Sequence, residues 1–365
     1  MQRIIVGVLV VLMLTSAPLF GCQDQHAEAR AALQSLLDQQ VEDQDILGMI
    51  MAVRLADGTV IYVTSGSTDP SGKVPWTVDT VSALASVTKT FTGVVVMQLV
   101  EEGKLSLDDT IDTWLPEQPN GDTITIRMVL SHTSGIPNYN TALGNDVEKW
   151  TREWTPEDLI AEANKLGPVS EPGSSEAHYS NTNYFVLGLI IEKITGHSWA
   201  QEVESRIITP LGLRNTSFMD KEGVWGGILV PGYSKTASGY VSTLELPYIP
   251  DASTRWAAGS IVCSASDLMT FAGALFDGEL VSNATLATMA QPLGRDLERG
   301  ALWGLGGGTL EQFERAGFGM VGDTIDYHAS FFGYLDSKLT VVALTNDVEG
   351  DVISACIAAL EYISQ

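Results

Sequence analysis

Residues 83–103 read ALASVTKTFTGVVVMQLVEEG. The apolar run that stops at Gly103 predicts a helix over about 86–102. Ser86 and Lys89 stand three residues apart, so a helix presents them on one side. Ser86 falls at the helix start, where free N–H groups and the positive end of the dipole favour developing negative charge. Lys89 can accept the serine proton only as a neutral amine. Its ordinary pKa of about 10.4 must then be lowered by burial or by cationic neighbours. Taken alone, this stretch reads first as a capped surface helix with a solvated lysine, since a chain of this length holds about one Ser-x-x-Lys by chance.

A second stretch, EAHYSNTNYF at 176–185, places Tyr179, Ser180 and Asn181 just before another apolar helical run. A tyrosine hydroxyl near a lysine relays protons, and an asparagine amide can hold a carbonyl and an amine together. The plainer reading is a buried tyrosine followed by helix-capping Ser and Asn.

Around these stretches the chain divides by type. AEARAALQSLLDQQVEDQ, roughly 27–44, predicts an amphipathic helix with Leu33, Leu36 and Leu37 on one face. In MIMAVRLADGTVIYVTSG, Asp57-Gly58 between two β-rich runs predicts a hairpin. GLGGGTLEQF, RAGFGMVG, SFFGYL and LTVVALTN predict further strands near the C-terminus, before a closing helix over about 350–363. The middle reads as helices, among them TPEDLIAEANKLG with a Thr cap, Pro at the first helical position and a Gly stop. The expected fold is therefore α/β in content, of the α+β type. An antiparallel sheet from both chain ends (about 46–80 and 300–365) is flanked by helices and carries a mainly helical insertion (about 81–299), with a site in the cleft between them.

Composition narrows the function. The 365 residues are 45% hydrophobic and 18% charged, enough for a substantial core. The formal charge of −25 argues against nucleic acid as a partner, because phosphate contacts require clustered Lys and Arg. Metal catalysis is not expected, since no His or Cys pair has ligand spacing, and no cofactor is implied.

At the N-terminus, MQR and the apolar run IIVGVLVVLML predict an export signal over 1–21, too short to span a bilayer. TSAPLFGCQDQ resembles a bacterial lipobox ending in Gly21-Cys22, with Phe20 departing from the pattern. Cys22 is the expected lipid attachment site, and 22–45 the tether and first helix of an exported, membrane-anchored lipoprotein. Secretion with Cys22 incidental is the alternative. Cys263 and Cys356 read as small buried hydrophobes, with a disulfide between them open in an oxidising compartment.

ASVTKTF, MQLVEEGKLSLDDTIDTWLP, IRMVLSHTSGIPNY, YSNTNYFVLGLIIEKITG, TPLGL and AGSIVCSASDLMTFA occur in this order. From about residue 40 to the end the chain resembles the serine β-lactamase and penicillin-binding superfamily, in its class C β-lactamase, DD-carboxypeptidase and family VIII esterase branch. The resemblance implies Ser86 as acylated nucleophile, Lys89 as its proton acceptor, Tyr179 as base or relay, and Asn181 as a substrate-positioning amide. It implies an oxyanion hole from the Ser86 N–H and an edge-strand N–H. It makes His132 a structural turn element rather than a partner of the serine, and no G-x-S-x-G elbow surrounds Ser86.

The edge strand departs from that pattern. In GFGMVGDTIDYH at 317–328, Gly322 takes the motif glycine and Met320 the place of a His or Lys that faces substrate, while Asp326 falls where a Gly is common. A lost cation weakens carboxylate-bearing substrates by roughly ten- to a hundredfold and affects neutral esters less. Arg255, Arg315 and His328 are the candidates to replace it: the arginines read first as surface residues, and His328 requires a shifted strand register. The implied substrates are D-alanyl-D-alanine-type peptides, β-lactams or small esters. The rival reading is a non-catalytic lipoprotein of the same descent that binds cell-wall peptides or a protein.

Overall fold

In the computed structural model the described residues are 26–219, 229–237, 239–243, 250–291, 301–302, 305–306 and 317–364. The signal segment, Cys22, Arg315 and all of GLGGGTLEQF but Leu305 and Gly306 lie outside them.

Both chain ends build one antiparallel sheet, as expected. Strands β1 (Gly48–Arg54) and β2 (Val60–Gly66) form the hairpin. Gly58 at φ +88° supplies the left-handed residue that its turn requires. Further along the chain, β3 (Val81–Ala83), β4 (Thr216–Phe218) and β5 (Ile261–Ser264) precede β6 (Gly317–Asp323), β7 (His328–Tyr334) and β8 (Thr340–Thr345). The main sheet has the order β6-β7-β8-β1-β2, which makes β6 an edge.

Side-chain alternation gives this sheet two cores. On one face Met49, Met51 and Val53 of β1 join Val341, Ala343, Phe332 and Tyr334. Helices α1 (Ala27–Gln44) and α5 (Val352–Ile363) cover that face through Leu33, Leu37, Ala355, Cys356 and Leu360. On the other face Ile50 and Ala52 join Phe318, Met320, Phe331, Val342 and Leu344 in a larger core shared with the helices. There α2 (Thr88–Glu101) and α4 (Ala265–Phe276) are tied to the sheet by aromatic rings. Phe91 stacks on Phe271 at 3.8 Å, and Phe271 meets Phe331 edge-on at 6.3 Å. Burial of each such ring contributes about 1.5–3 kcal/mol, which holds the helix carrying Lys89 against the sheet.

The middle of the chain is not wholly helical. β3, β5 and β4 form a second, three-stranded antiparallel sheet inside the segment expected to be helical. Strands of three or four residues are too short to display a period-two pattern; a strand ending at Cys263 is readable in SIVCSASD, but its pairing into a second sheet is not. Cys263 lies in this sheet and Cys356 in α5, in separate cores, and both thiols are free.

Candidate active site

Three backbone constraints place Ser86. The Leu84 N–H donates to the Ile261 carbonyl at 2.9 Å, continuing the β3–β5 pairing. Ala85 then takes φ +47°, a left-handed conformation that costs a residue with a β-carbon about 1 kcal/mol or more. The tight turn Ala85–Val87 feeds α2 and is pinned by the Ile261 N–H donating to Thr88 Oγ1 at 3.0 Å. Ser86 is thereby left half-buried at a strained strand-to-helix corner.

Lys89 is fully buried, at 0% exposure, which rules out the solvated surface helix. Its Nζ lies 2.9 Å from Ser86 Oγ and donates to the Ala258 carbonyl at 2.8 Å. No carboxylate among the described residues pairs with it. The rings of Tyr179 and Tyr184 lie 5.0 and 5.6 Å away instead. Desolvation holds its pKa well below the usual lysine value, which favours the neutral amine that can accept a proton.

Tyr179 stands on the other side of the serine, its hydroxyl 2.7 Å from Ser86 Oγ. The ring leaves 43% of the residue exposed, but the hydroxyl end turns inward. Burial raises its pKa, opposed by the Ser86 hydrogen bond and assisted by the charge of Asp323. Tyr179 therefore keeps its proton, and relay suits it better than a standing negative charge. Asn181 opens α3 (Asn181–Thr195) and lines the same cavity. Its Nδ2 donates to Asn140 Oδ1 at 3.0 Å, fixing the amide's orientation.

The turn that carries Ala258 is packed onto α3. A β-carbon on Gly188 would stand 2.7 Å from the Trp256 ring and 2.9 Å from Ala257 Cβ. Thr92 Oγ1 donates to the Ala257 carbonyl at 2.8 Å. The sequence offered no sign that Ala258 would hold the lysine, because a backbone carbonyl leaves no residue-type signature.

Gly322 faces Ser86 as expected: a β-carbon there would lie 2.1 Å from the Leu84 carbonyl oxygen and 2.9 Å from the Ser86 nitrogen. Met320 does not form a cavity wall. It points to the same side of β6 as Gly322 but is 1% exposed and packed in the large core with Phe318 and Phe331. The wall beyond Gly322 is made by Asp323, Thr324 and Ile325. Asp326 has a structural explanation. Its carboxylate is buried and accepts from Thr243 Oγ1 at 2.6 Å and Thr324 Oγ1 at 2.8 Å, closing the β6–β7 turn over Gly232.

Two of the candidate cations are placed. His328 pairs opposite Asp323 with no shift of register. Its Nδ1 meets Asp323 Oδ1 at 2.8 Å and its Nε2 the Val348 carbonyl at 2.9 Å, so both ring nitrogens face acceptors. Burial is the largest single influence and works against the charge, but the bond and charge of Asp323, the Val348 carbonyl and the charge of Asp347 together outweigh it and the pKa is raised. Arg255 is not a plain surface residue. It is half-buried and lines a cavity of about 530 Å³ together with Ser86, Tyr139, Asn140, Trp150 and Asn181. Its Nη1 lies 3.1 Å from the Met219 sulfur.

His132 is buried at 1% exposure, directly behind Tyr179, with ring centroids 4.6 Å apart. Burial, and then the charge of Lys89, lower its pKa from 6.5 to about 3. Of the other histidines, His197 is solvated beside Glu202, while His26 is half-buried against Asp57.

The Beta-lactamase family model matches residues 33–360. The chain is 34% identical over 212 residues to a putative penicillin-binding protein, PbpX, of Bacillus subtilis (strain 168), covering 57% of this chain and 50% of that protein. It thus spans half the length of PbpX. It is 27% identical over 351 residues to penicillin-binding protein 4* of the same organism, covering 92% of this chain and 76% of the relative. Among solved structures, a D-stereospecific amidohydrolase from Streptomyces sp. superposes with TM-score 0.77 at 29% identity, covering 92% and 99% of the two chains. The D-amino acid amidase from Ochrobactrum anthropi SV3 shares the fold with TM-score 0.80 at 24% identity, covering 93% and 100%.

Proposed function

The chain belongs to the Beta-lactamase family, and from that premise we propose that it is a serine hydrolase that cleaves small esters, amides or β-lactams through a covalent ester on Ser86. One observation carries this reading: Ser86 Oγ sits between the Lys89 amine at 2.9 Å and the Tyr179 hydroxyl at 2.7 Å. In the first step Oγ attacks the substrate carbonyl carbon while its proton passes to the neutral Lys89 amine. The negative charge on the former carbonyl oxygen is met by the Ser86 N–H and an N–H of β6 beside Gly322. As the tetrahedral centre collapses, the Tyr179 hydroxyl hands a proton to the leaving oxygen or nitrogen and is replenished from the Lys89 ammonium. Water then repeats the sequence on the acyl ester and regenerates Ser86.

The named activity of the Streptomyces neighbour, a D-stereospecific amidohydrolase, favours acyl transfer from D-configured amides. The aliphatic wall at Ile325 and the aromatic surfaces of Tyr139 and Trp150 suit an apolar group on the acyl or leaving side. The non-catalytic alternative loses much of its motivation, because Asp326 is a satisfied turn residue and Met320 a core residue.

The test is intact-mass analysis after exposure to labelled penicillin, an activated ester and a D-amino acid amide. A stoichiometric adduct, or turnover of any of the three, that disappears in Ser86→Ala is the expected result. No adduct and no turnover above that variant would overturn the proposal. We also propose export and lipid anchoring at Cys22. Release of a Cys22→Ser variant from the membrane fraction supports it, and an unchanged distribution counts against it.

A further inference from the structure

We propose that His132 is the positioning residue for Tyr179, a neutral imidazole fixed as its Nε2–H tautomer that clamps the tyrosine from both sides. The inference rests on the Ser86 acylation reading for its kinetic consequence, but not for its geometry.

Tyr179 needs such a clamp. Residues 177–180 are neither helix nor strand, so no backbone ladder holds the segment. His132 supplies the missing bonds. Its main-chain carbonyl accepts from the His178 N–H at 2.8 Å, and its Nδ1 accepts from the Ser180 N–H at 3.2 Å. The residues before and after Tyr179 are thus fastened to one histidine. The imidazole also lies against the Tyr179 ring, tilted by 37°. Two backbone anchors and a ring contact leave the hydroxyl little freedom except toward Ser86.

The tautomer follows from the neighbours. A backbone N–H can only donate, so Nδ1 opposite Ser180 must accept. The second neighbour of Nδ1, Asn183 Nδ2 at 3.1 Å, is oriented as a donor because Asn183 Oδ1 accepts from Ser134 Oγ at 2.7 Å. A proton on Nδ1 would face two donors. The proton therefore sits on Nε2, which is buried with no hydrogen-bond partner among the described residues. His132 also holds φ +59°. A left-handed backbone and an unpartnered buried donor in one residue are costs that persist where the surrounding structure enforces them, and they cluster at functional sites. A ring locked in this way takes no part in proton transfer through Nδ1, so its contribution is geometric. The depressed pKa agrees with the neutral form.

Two measurements test this. Long-range ¹H–¹⁵N NMR of the wild-type imidazole should show a non-protonated Nδ1 and a protonated Nε2 that persist below pH 5. A proton on Nδ1, or titration near the ordinary histidine value, would overturn the clamp. Because this readout needs no substrate, it still decides the clamp if the enzyme proves inactive and the acylation reading fails. The kinetic arm uses His132→Asn, which retains an acceptor without the ring, and His132→Phe, which retains a ring without the acceptor. With an activated ester, each folded variant should lose about ten- to a hundredfold in kcat with KM within about threefold, as a misplaced catalytic group does. Folded variants with wild-type kcat would sink the positioning role.

Discussion

Gly322 and Ser86 are in backbone contact across the edge of the main sheet: a β-carbon on Gly322 would stand 2.9 Å from the Ser86 nitrogen and 2.1 Å from the Leu84 oxygen. Neither obstacle is a flexible side chain, so Gly322→Ala must push β6 away from the nucleophile turn. The variant should lose about 10²–10³ in acylation rate, the scale of one lost oxyanion donor, with a stability cost of about 1–3 kcal/mol from overpacking. Stopped-flow acylation beside thermal melting checks both numbers. Wild-type acylation in the variant would detach Gly322 from the site.

Lys89 should exchange stability for reactivity. A buried lysine with a lowered pKa binds fewer protons folded than unfolded, so its contribution to stability rises with pH between its folded pKa and 10.5 and is unfavourable below that window. Lys89→Met removes this penalty and loses two hydrogen bonds, to Ser86 and Ala258, worth about 1 kcal/mol each. The expected result at neutral pH is a Tm at or above wild type with acylation abolished. In the wild type the acid limb of kcat/KM should follow protonation of Lys89. A destabilised Lys89→Met that still acylates would contradict both halves.

The order of strands and helices was legible because long elements display their period and their stops. The 27–44 helix, the Asp57-Gly58 hairpin and the Gly103 stop all stand where composition put them. The second sheet was not, since three-residue strands such as Val81–Ala83 have no period to show. Within the site, the structure brings Ser86, Lys89 and Tyr179, all named from the motifs, within hydrogen-bond reach of one another through Ser86 Oγ. The Ala258 carbonyl, the His132 clamp and the depth of Met320 depend on tertiary packing. Counting along β6 gave the side on which Met320 points but not how far beneath the cavity it lies.

That depth changes what a substitution at Met320 should do. A cation placed there enters a core of Phe318 and Phe331 rather than facing substrate. Met320→Leu should retain activity within about threefold, because the swap nearly conserves volume. Met320→Lys should cost several kcal/mol, since an isolated charge in such a core is desolvated without a partner. Thermal melts with ester turnover measure this. A stable Met320→Lys with a selective gain on carboxylate-bearing esters would return Met320 to the cavity wall.

Arg255 is the residue to examine for charge selection. The chain carries −25 overall, yet an arginine lines the cavity beside Ser86. Among the described residues no carboxylate lies within ion-pair reach of it. Its Nη1 meets the Met219 sulfur, a weak acceptor that cannot neutralise a guanidinium. Asp323, a carboxylate that lines the same cavity, is already engaged by His328. Among the described residues, the charge left for a ligand is therefore positive. A substrate carboxylate reaching Arg255 gains a charge-assisted bond of about 1.5–3 kcal/mol, reduced by solvent at a half-buried site. Arg255→Leu should raise KM about tenfold for an ester bearing a carboxylate and leave its kcat within about twofold. The matched neutral ester should be unaffected, and added salt should weaken only the charged substrate in the wild type. Equal losses on both esters would assign Arg255 to packing of the turn that carries Ala258, not to recognition.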